Sequence, residues 1–365
     1  MKERLQSLDI FRGLTIAAMI LVNNPGSWDD VYAPLLHSEW NGCSPADLIF
    51  PFFIFIAGVS IPLARQAREA KGATKRALRR HILRRVVILL MLGLLVTWFT
   101  GSDWQGGFAD HLKTWRLPGV LQRIALVYGV SACLDLDAKP WQRAATGTVL
   151  LAGYWAAMTL APLTVPSGTV SALVDRSLFG DHLWYLADPP RSWDPEGFLS
   201  SVPAIVTGLL GVAAGRWLQR PVPLPRRLAG LAAAGAGLVA LGYGWDPLFP
   251  INKALWTSSF VVFTAGWAAL ALAVLAWVAD MRGWTAWAVP FRVFGTNAIL
   301  AYAGDEILGS VLYKIWPAPA ASFYQALLLL PVAPKTASLL FALSVALLWG
   351  GILTLFYRRR IFLKV

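Results

Sequence analysis

Runs of apolar residues long enough to cross a bilayer recur along this chain, separated by shorter stretches in which the charges collect. A helix rises about 1.5 Å per residue, so about 20 apolar residues cross a hydrocarbon core about 30 Å thick. The pattern predicts about ten spanning helices, over 10–24, 47–64, 85–101, 118–134, 144–163, 198–215, 228–244, 254–279, 286–307 and 336–357. A further apolar stretch, 315–333, contains Pro317, Pro319 and Pro331. It is read as re-entrant or interfacial, because another crossing would carry the basic C-terminus to the opposite side. The expected architecture is an all-α integral membrane protein, one transmembrane domain over 1–365, with no Gly/Ser-rich linker and no repeat visible.

Composition agrees: 57% of residues are hydrophobic and only 14% charged, which excludes ordinary soluble domains. The positive charges also orient the chain. Of 32 Lys and Arg, 22 fall in the terminal segments and alternate loops that ten crossings put on one side, and seven fall on the other. Lysine and arginine concentrate in cytoplasmic loops, so both termini and the loop from Arg65 to Arg85 are expected inside. Nine cations sit in that loop, so the net charge of +12 needs no nucleic acid; anionic lipid or a phosphorylated ligand suffices. The first helix carries Arg12 and no small-residue cleavage site follows it, so it is expected to remain uncleaved. Cys43 and Cys133 fall near opposite faces and predict no disulfide. The segments 25–46, 102–117 and 164–197 are long, aromatic and outside, and the substrate site is expected there.

Several residues carry candidate chemistry. Asp9 and Arg12 lie three apart at the start of helix one, spaced for an interfacial ion pair or, alternatively, for a guanidinium held ready for a phosphate. Asn23 ends the same helix. His37 sits among Asp29, Asp30, Glu39, Trp40 and Asn41, where a solvated loop histidine is the plain alternative to catalysis. Asp47 opens helix two, where an N-cap or macrodipole partner is expected. Arg123, Asn297 and Glu306 fall at membrane depth, where polar groups face a cavity or each other, and an Arg123–Glu306 pair is one such arrangement. An aromatic belt accounts for most of the 18 tryptophans. The four histidines are scattered and neither cysteine has a companion, so no metal is expected.

The segments Leu8-Asp9-Ile10-Phe11-Arg12-Gly13, Val22-Asn23, His37-Ser38-Glu39-Trp40-Asn41-Gly42 and Ala46-Asp47-Leu48-Ile49-Phe50-Pro51-Phe52-Phe53 closely resemble the heparan-alpha-glucosaminide N-acetyltransferase family and its bacterial homologues. Leu117-Pro118-Gly119-Val120-Leu121-Gln122-Arg123, Asp194-Pro195-Glu196-Gly197, Pro250-Ile251-Asn252-Lys253-Ala254-Leu255-Trp256 and Gly295-Thr296-Asn297-Ala298-Ile299-Leu300 continue the resemblance in family order. It implies a transmembrane acyltransferase, multi-pass in a bacterial inner membrane, moving acetyl from cytoplasmic acetyl-CoA to the amine of a glucosamine-type sugar outside.

On that pattern His37 is the catalytic histidine, as general base or transient acetyl carrier, with Asn23 donating to the developing oxyanion and Asp47 orienting the imidazole. Arg12, Arg84 and Arg85 are the expected partners of the acetyl-CoA phosphates. Trp40, Arg123, Asn297 and Glu306 are the expected sugar-contacting or supporting groups. The resemblance also suggests a homodimer. Relatives from lysosomes carry a luminal domain and an extra first helix not found here, so peptidoglycan-derived or free glucosamine is the more natural acceptor. An amino-sugar permease is the competing reading from another class and a partner-binding scaffold a third; neither cleaves a thioester.

Overall fold

The computed structural model describes residues 5–100, 107–184 and 193–363. Lys2, Arg4, Arg191 and Lys364, all used to orient the chain, lie outside the described residues. Among the described residues fourteen α-helices follow one another: α1 Gln6–Asn23, α2 Ile49–Glu69, α3 Lys75–Thr100, α4 Gly107–Thr114, α5 Val120–Asp137, α6 Pro140–Met158, α7 Val170–Phe179, α8 Phe198–Leu218, α9 Leu224–Trp245, α10 Ser258–Ala276, α11 Val289–Thr296, α12 Ala298–Ser310, α13 Ala318–Leu328 and α14 Pro334–Arg358. Among the described residues there is no strand, only an isolated bridge between Gly42 and Asn252.

Local chemistry explains where the helices start. Proline, whose missing N–H costs nothing in a first turn, leads α6 and α14 as Pro140 and Pro334. Thr169 and Thr257 cap α7 and α10 through their hydroxyls. Gly72, at φ 82°, turns the chain between α2 and α3.

Among the described residues, six helices are long and apolar enough to cross a membrane: those at Pro45–Glu69, Lys75–Thr100, Phe198–Leu218, Leu224–Trp245, Ser258–Met281 and Pro334–Arg358. The chain is thus an all-helical multi-pass membrane protein. The other expected spans correspond to α1, α5, α6 and the pair α11–α12. That last pair departs from expectation, since 286–307 was read as one helix and the chain breaks at Asn297, whose φ of −127° and ψ of 40° are not helical. Gly295, Thr296 and Asn297 are all weak helix formers, and the Asn297 side chain binds backbone elsewhere. Helix α13 has 11 residues, about 16 Å, too short to cross and consistent with a re-entrant or interfacial segment.

The chain divides into two compact units. The first comprises Met1–Glu39, Cys43–Phe50 and Val278–Val365. Here α1 packs on α11, α12 and α14. Gly13 and Gly295 bring α1 and α11 so close that a methyl on either would overlap the carbonyl oxygen of Phe291 or Asp9, respectively. The second comprises Trp40–Gly42 and Pro51–Trp277. Helix α8 is central to it, packing on α5, α6, α7, α9 and α10. Added methyls on Gly208 and Gly211 have no room either, with Ser131 and the Phe55 carbonyl in the way. By contrast α3 leaves Leu83, Val87, Met91 and Leu95 exposed, an apolar stripe suited to lipid.

Candidate active site

In the first unit, His37 lies between two short 3-10 turns, Ala33–Leu35 and Pro45–Leu48. Its Nδ1 is 2.8 Å from Oδ1 of Asp47. Ser44, rather than Asp47, is the N-cap of the turn leading into α2; Asp47 reciprocates from the N3 position in a capping box. The Asp47 carboxylate is fully buried, and its Oδ2 accepts from the backbone N–H groups of Ser38 and Ser44 and from the Ser44 hydroxyl. One carboxylate thus anchors the turn and orients the histidine. With Nδ1–H donating to Asp47, Nε2 carries the lone pair, the tautomer a general base requires. The His37 side chain is 40% exposed.

At the end of α1, Asn23 donates from Nδ2 to Oε1 of Glu306 on α12 at 3.4 Å. The next residue, Asn24, donates to both oxygens of Asp305 at 3.0 and 3.2 Å and to the Ile20 carbonyl at 2.8 Å. Nearer the start of α1, Arg12 pairs with Asp9 at 3.2 Å. Asn297, expected within one helix, instead joins α11 to α12 and clamps the C-terminal segment: Nδ2 donates to the Ile361 carbonyl, and Oδ1 accepts from the Leu363 N–H.

The second unit holds Trp40, Arg123, Arg84 and Arg85. Trp40 donates Nε1–H to the Leu163 carbonyl at 2.7 Å and meets Trp193 edge to face, so part of its ring is committed to packing. Arg123 is fully buried on α5, donating to the hydroxyls of Ser200 and Ser201 and to the Pro195 carbonyl, with its guanidinium 4.7 Å over the Trp256 ring. Trp256 itself has φ 52°, a left-handed backbone rare for a bulky residue. Arg123 belongs to the second unit and Glu306 to the first.

Beside Arg123 in sequence, Arg116 makes a two-pronged pair with Asp194 at 2.6 and 2.8 Å and also meets Glu196. Burial pulls the Arg116 guanidinium down, but the two carboxylates outweigh it and hold it above its ordinary range. Asp175 on α7 accepts from the Leu199 N–H at the start of α8, supplying the cap that Gly197 cannot. Burial pushes Asp175 up to about 6, against the pull of that N–H.

The basic loop is internally braced. Asp135, buried at the end of α5, takes Arg65 and Arg216, and Arg68 meets His81. Arg85 stacks 4.4 Å over Tyr128, while Arg84, Lys71, Arg76 and Arg80 are exposed. Those exposed side chains offer the kind of charge-assisted donor that suits a phosphate.

Reading the sequence missed the Asn24–Asp305 contact and the Arg116–Asp194–Glu196 triad. Asn24 stands next to Asn23, and Asp305 beside Glu306 in an apolar run; two adjacent acids at that depth were the available signal. The segment Asp194-Pro195-Glu196-Gly197 stood out in the sequence, but its pairing with Arg116, about 80 positions away, left no signal.

The human heparan-alpha-glucosaminide N-acetyltransferase is 30% identical over 421 residues, covering 99% of this chain and 60% of that protein. The mouse protein of the same name is 30% identical over 371 residues, covering 86% of this chain and 55% of that one. The chain thus spans less than two thirds of the length of these relatives. Its residues 4–243 match the family profile described as heparan-alpha-glucosaminide N-acetyltransferase, catalytic, and the chain belongs to that family.

Proposed function

We propose that this protein transfers an acetyl group from acetyl-CoA, supplied at the cytoplasmic face, to the amino group of a glucosamine-type sugar on the outer side of a bacterial inner membrane. The observation that carries the reading is the His37–Asp47 pair, a half-exposed imidazole held by a buried, fully engaged carboxylate. An attacking amine must lose a proton, and Nε2 is the group to take it. The C–N bond forms as the C–S bond breaks, CoA leaves as the thiol, and one proton is released overall from a protonated amine. The alternative in which His37 carries the acetyl group uses the same nitrogen and gives ping-pong kinetics.

Asn23 supports the oxyanion that develops on the acetyl carbonyl, its second amide hydrogen being available beyond the one directed to Glu306. Glu306 attracts the acceptor ammonium. Trp40 offers the remaining face of its ring to the sugar, and Arg123 and Asn297 act from behind by fixing the segments they bind. Arg12, Arg84 and Arg85 serve the acetyl-CoA phosphates, Arg84 as the most exposed of the three. Ten crossings, cytoplasmic termini and an outward His37 complete the scheme, and a homodimer is its expected assembly.

The test is purified protein with acetyl-CoA and a panel of amino sugars, read by mass spectrometry and by free CoA. Acetylated sugar with stoichiometric CoA is expected. Sugar binding without CoA release would favour a permease and overturn the reading. A cysteine at position 37 should label only from outside.

A further inference from the structure

Helix α1 is fastened to its neighbours within the first unit by two kinds of contact. In its first half, Gly13 and Gly295 let the backbones of α1 and α11 touch. At its C-terminal end the fastening is polar and buried. Asn24, the C-cap residue, is 4% exposed, and Asp305 is 3% exposed. One hydrogen of the Asn24 amide goes to the Ile20 carbonyl, satisfying an acceptor that the helix end leaves open, and the other is shared by the two Asp305 oxygens.

The last residue of α1 and its C-cap therefore meet consecutive residues of α12: Asn23 with Glu306, and Asn24 with Asp305. The two rungs are unequal. The Asn24 rung is short and sealed from solvent, whereas the Asn23 rung, at 3.4 Å and half-buried, is near the limit of a hydrogen bond. A weak contact next to a strong one takes its geometry from it. A carboxylate at this depth is costly, and an apolar side chain would pack α1 on α12 without that cost; what the apolar contact lacks is registry.

We propose that Asp305 is a positioning residue for acetyl transfer: by locking Asn24 it sets the backbone from which Asn23 reaches the reacting carbonyl, and keeps Asn23 in register with Glu306. The role rests on the assignment of Asn23 to the transfer step. Asp305 itself touches neither substrate. Because the locking needs an acceptor for the Asn24 amide rather than a negative charge, Asp305→Asn, which retains a carbonyl oxygen, should keep the function that Asp305→Ala loses.

The experiment compares the full-length parent with Asp305→Asn, Asp305→Ala, Asn24→Ala and Asn23→Ala, and with the doubles Asn24→Ala/Asp305→Ala and Asn23→Ala/Asp305→Ala. Turnover is expressed per acetyl-CoA-binding site, so that misfolded protein drops out of the comparison. Asp305→Ala is expected to lower kcat at least about tenfold with KM for acetyl-CoA within about twofold, and Asp305→Asn to stay within about threefold of the parent, as expected of an interaction lost from the transition state alone. Neither double should be much worse than its more damaged single, because each pair acts through one linkage. Parental turnover in Asp305→Ala overturns the proposal, as does an Asp305→Asn variant as slow as Asp305→Ala, or additive losses in the doubles. A parent that transfers no acetyl group overturns the functional reading instead, so the two failures are distinguishable.

Discussion

The two units treat their buried acids in opposite ways. In the second, Asp135 and Asp194 are met by arginines, Asp135 by Arg65 and Arg216 and Asp194 by Arg116. In the first, the described partners of Asp47 and Asp305 are an imidazole, a hydroxyl, backbone N–H groups and a side-chain amide. A carboxylate clamped by a guanidinium is fixed in charge and geometry, which suits a fastening. One held by neutral donors can orient a titrating neighbour and respond when that neighbour gains a proton, which suits proton transfer. On the proposed function this contrast puts proton transfer in the first unit, while the arginine networks of the second hold helices in place.

Replacing His37 with Ala should break the chemical side of the contrast outright, abolishing CoA release while acetyl-CoA binding and thermal midpoint stay near parental, as read by calorimetry and differential scanning. Arg116→Ala should do the reverse. Removing one partner of a buried pair strands the Asp194 charge, a loss of about 3–5 kcal/mol visible as a lowered thermal midpoint in detergent, while whatever protein remains folded turns over near the parental rate. Asn23→Ala should lower kcat about 100-fold, about 2.7 kcal/mol, with little change in binding.

Asp175 sharpens the contrast because it is the second unit's exception, a buried acid held by N–H groups. Its pKa is raised, so the folded state binds its proton more tightly than the unfolded chain does. Asp175 therefore favours folding most below its ordinary value of 3.8, and the advantage fades as pH rises through about 6. Between 3.8 and about 6 the difference amounts to at most roughly 3 kcal/mol. Thermal scans of the parent minus Asp175→Asn across pH 4–7 should show the parent gaining on the acid side. The smallest effect is expected at the exposed Lys75–Asp137 pair, where Lys75→Ala should leave midpoint and turnover unchanged.

Much of this arrangement was legible beforehand. Apolar runs carry a strong local signal, so most helices fell where the pattern put them, and the ordered motifs singled out His37, Asn23 and Asp47. What escaped depends on contacts remote in sequence. The break at Asn297 was hidden because 286–307 is apolar on both sides of it, and only the clamp on Ile361 and Leu363 gives the interruption a purpose. Ser44 was overlooked as the true cap because Asp47 is the more conspicuous cap-forming residue. Arg123 drew attention as a charge at depth, but its hydroxyl and tryptophan partners lie about 80 and 130 positions away.

The Asn297 clamp has a practical corollary for handling the protein. Its partners Ile361 and Leu363 follow α14 directly, so a proteolytic cut between Arg358 and Leu363 acts on the join between α11 and α12. Preparations nicked within that segment should be treated as a different molecule from the uncut one.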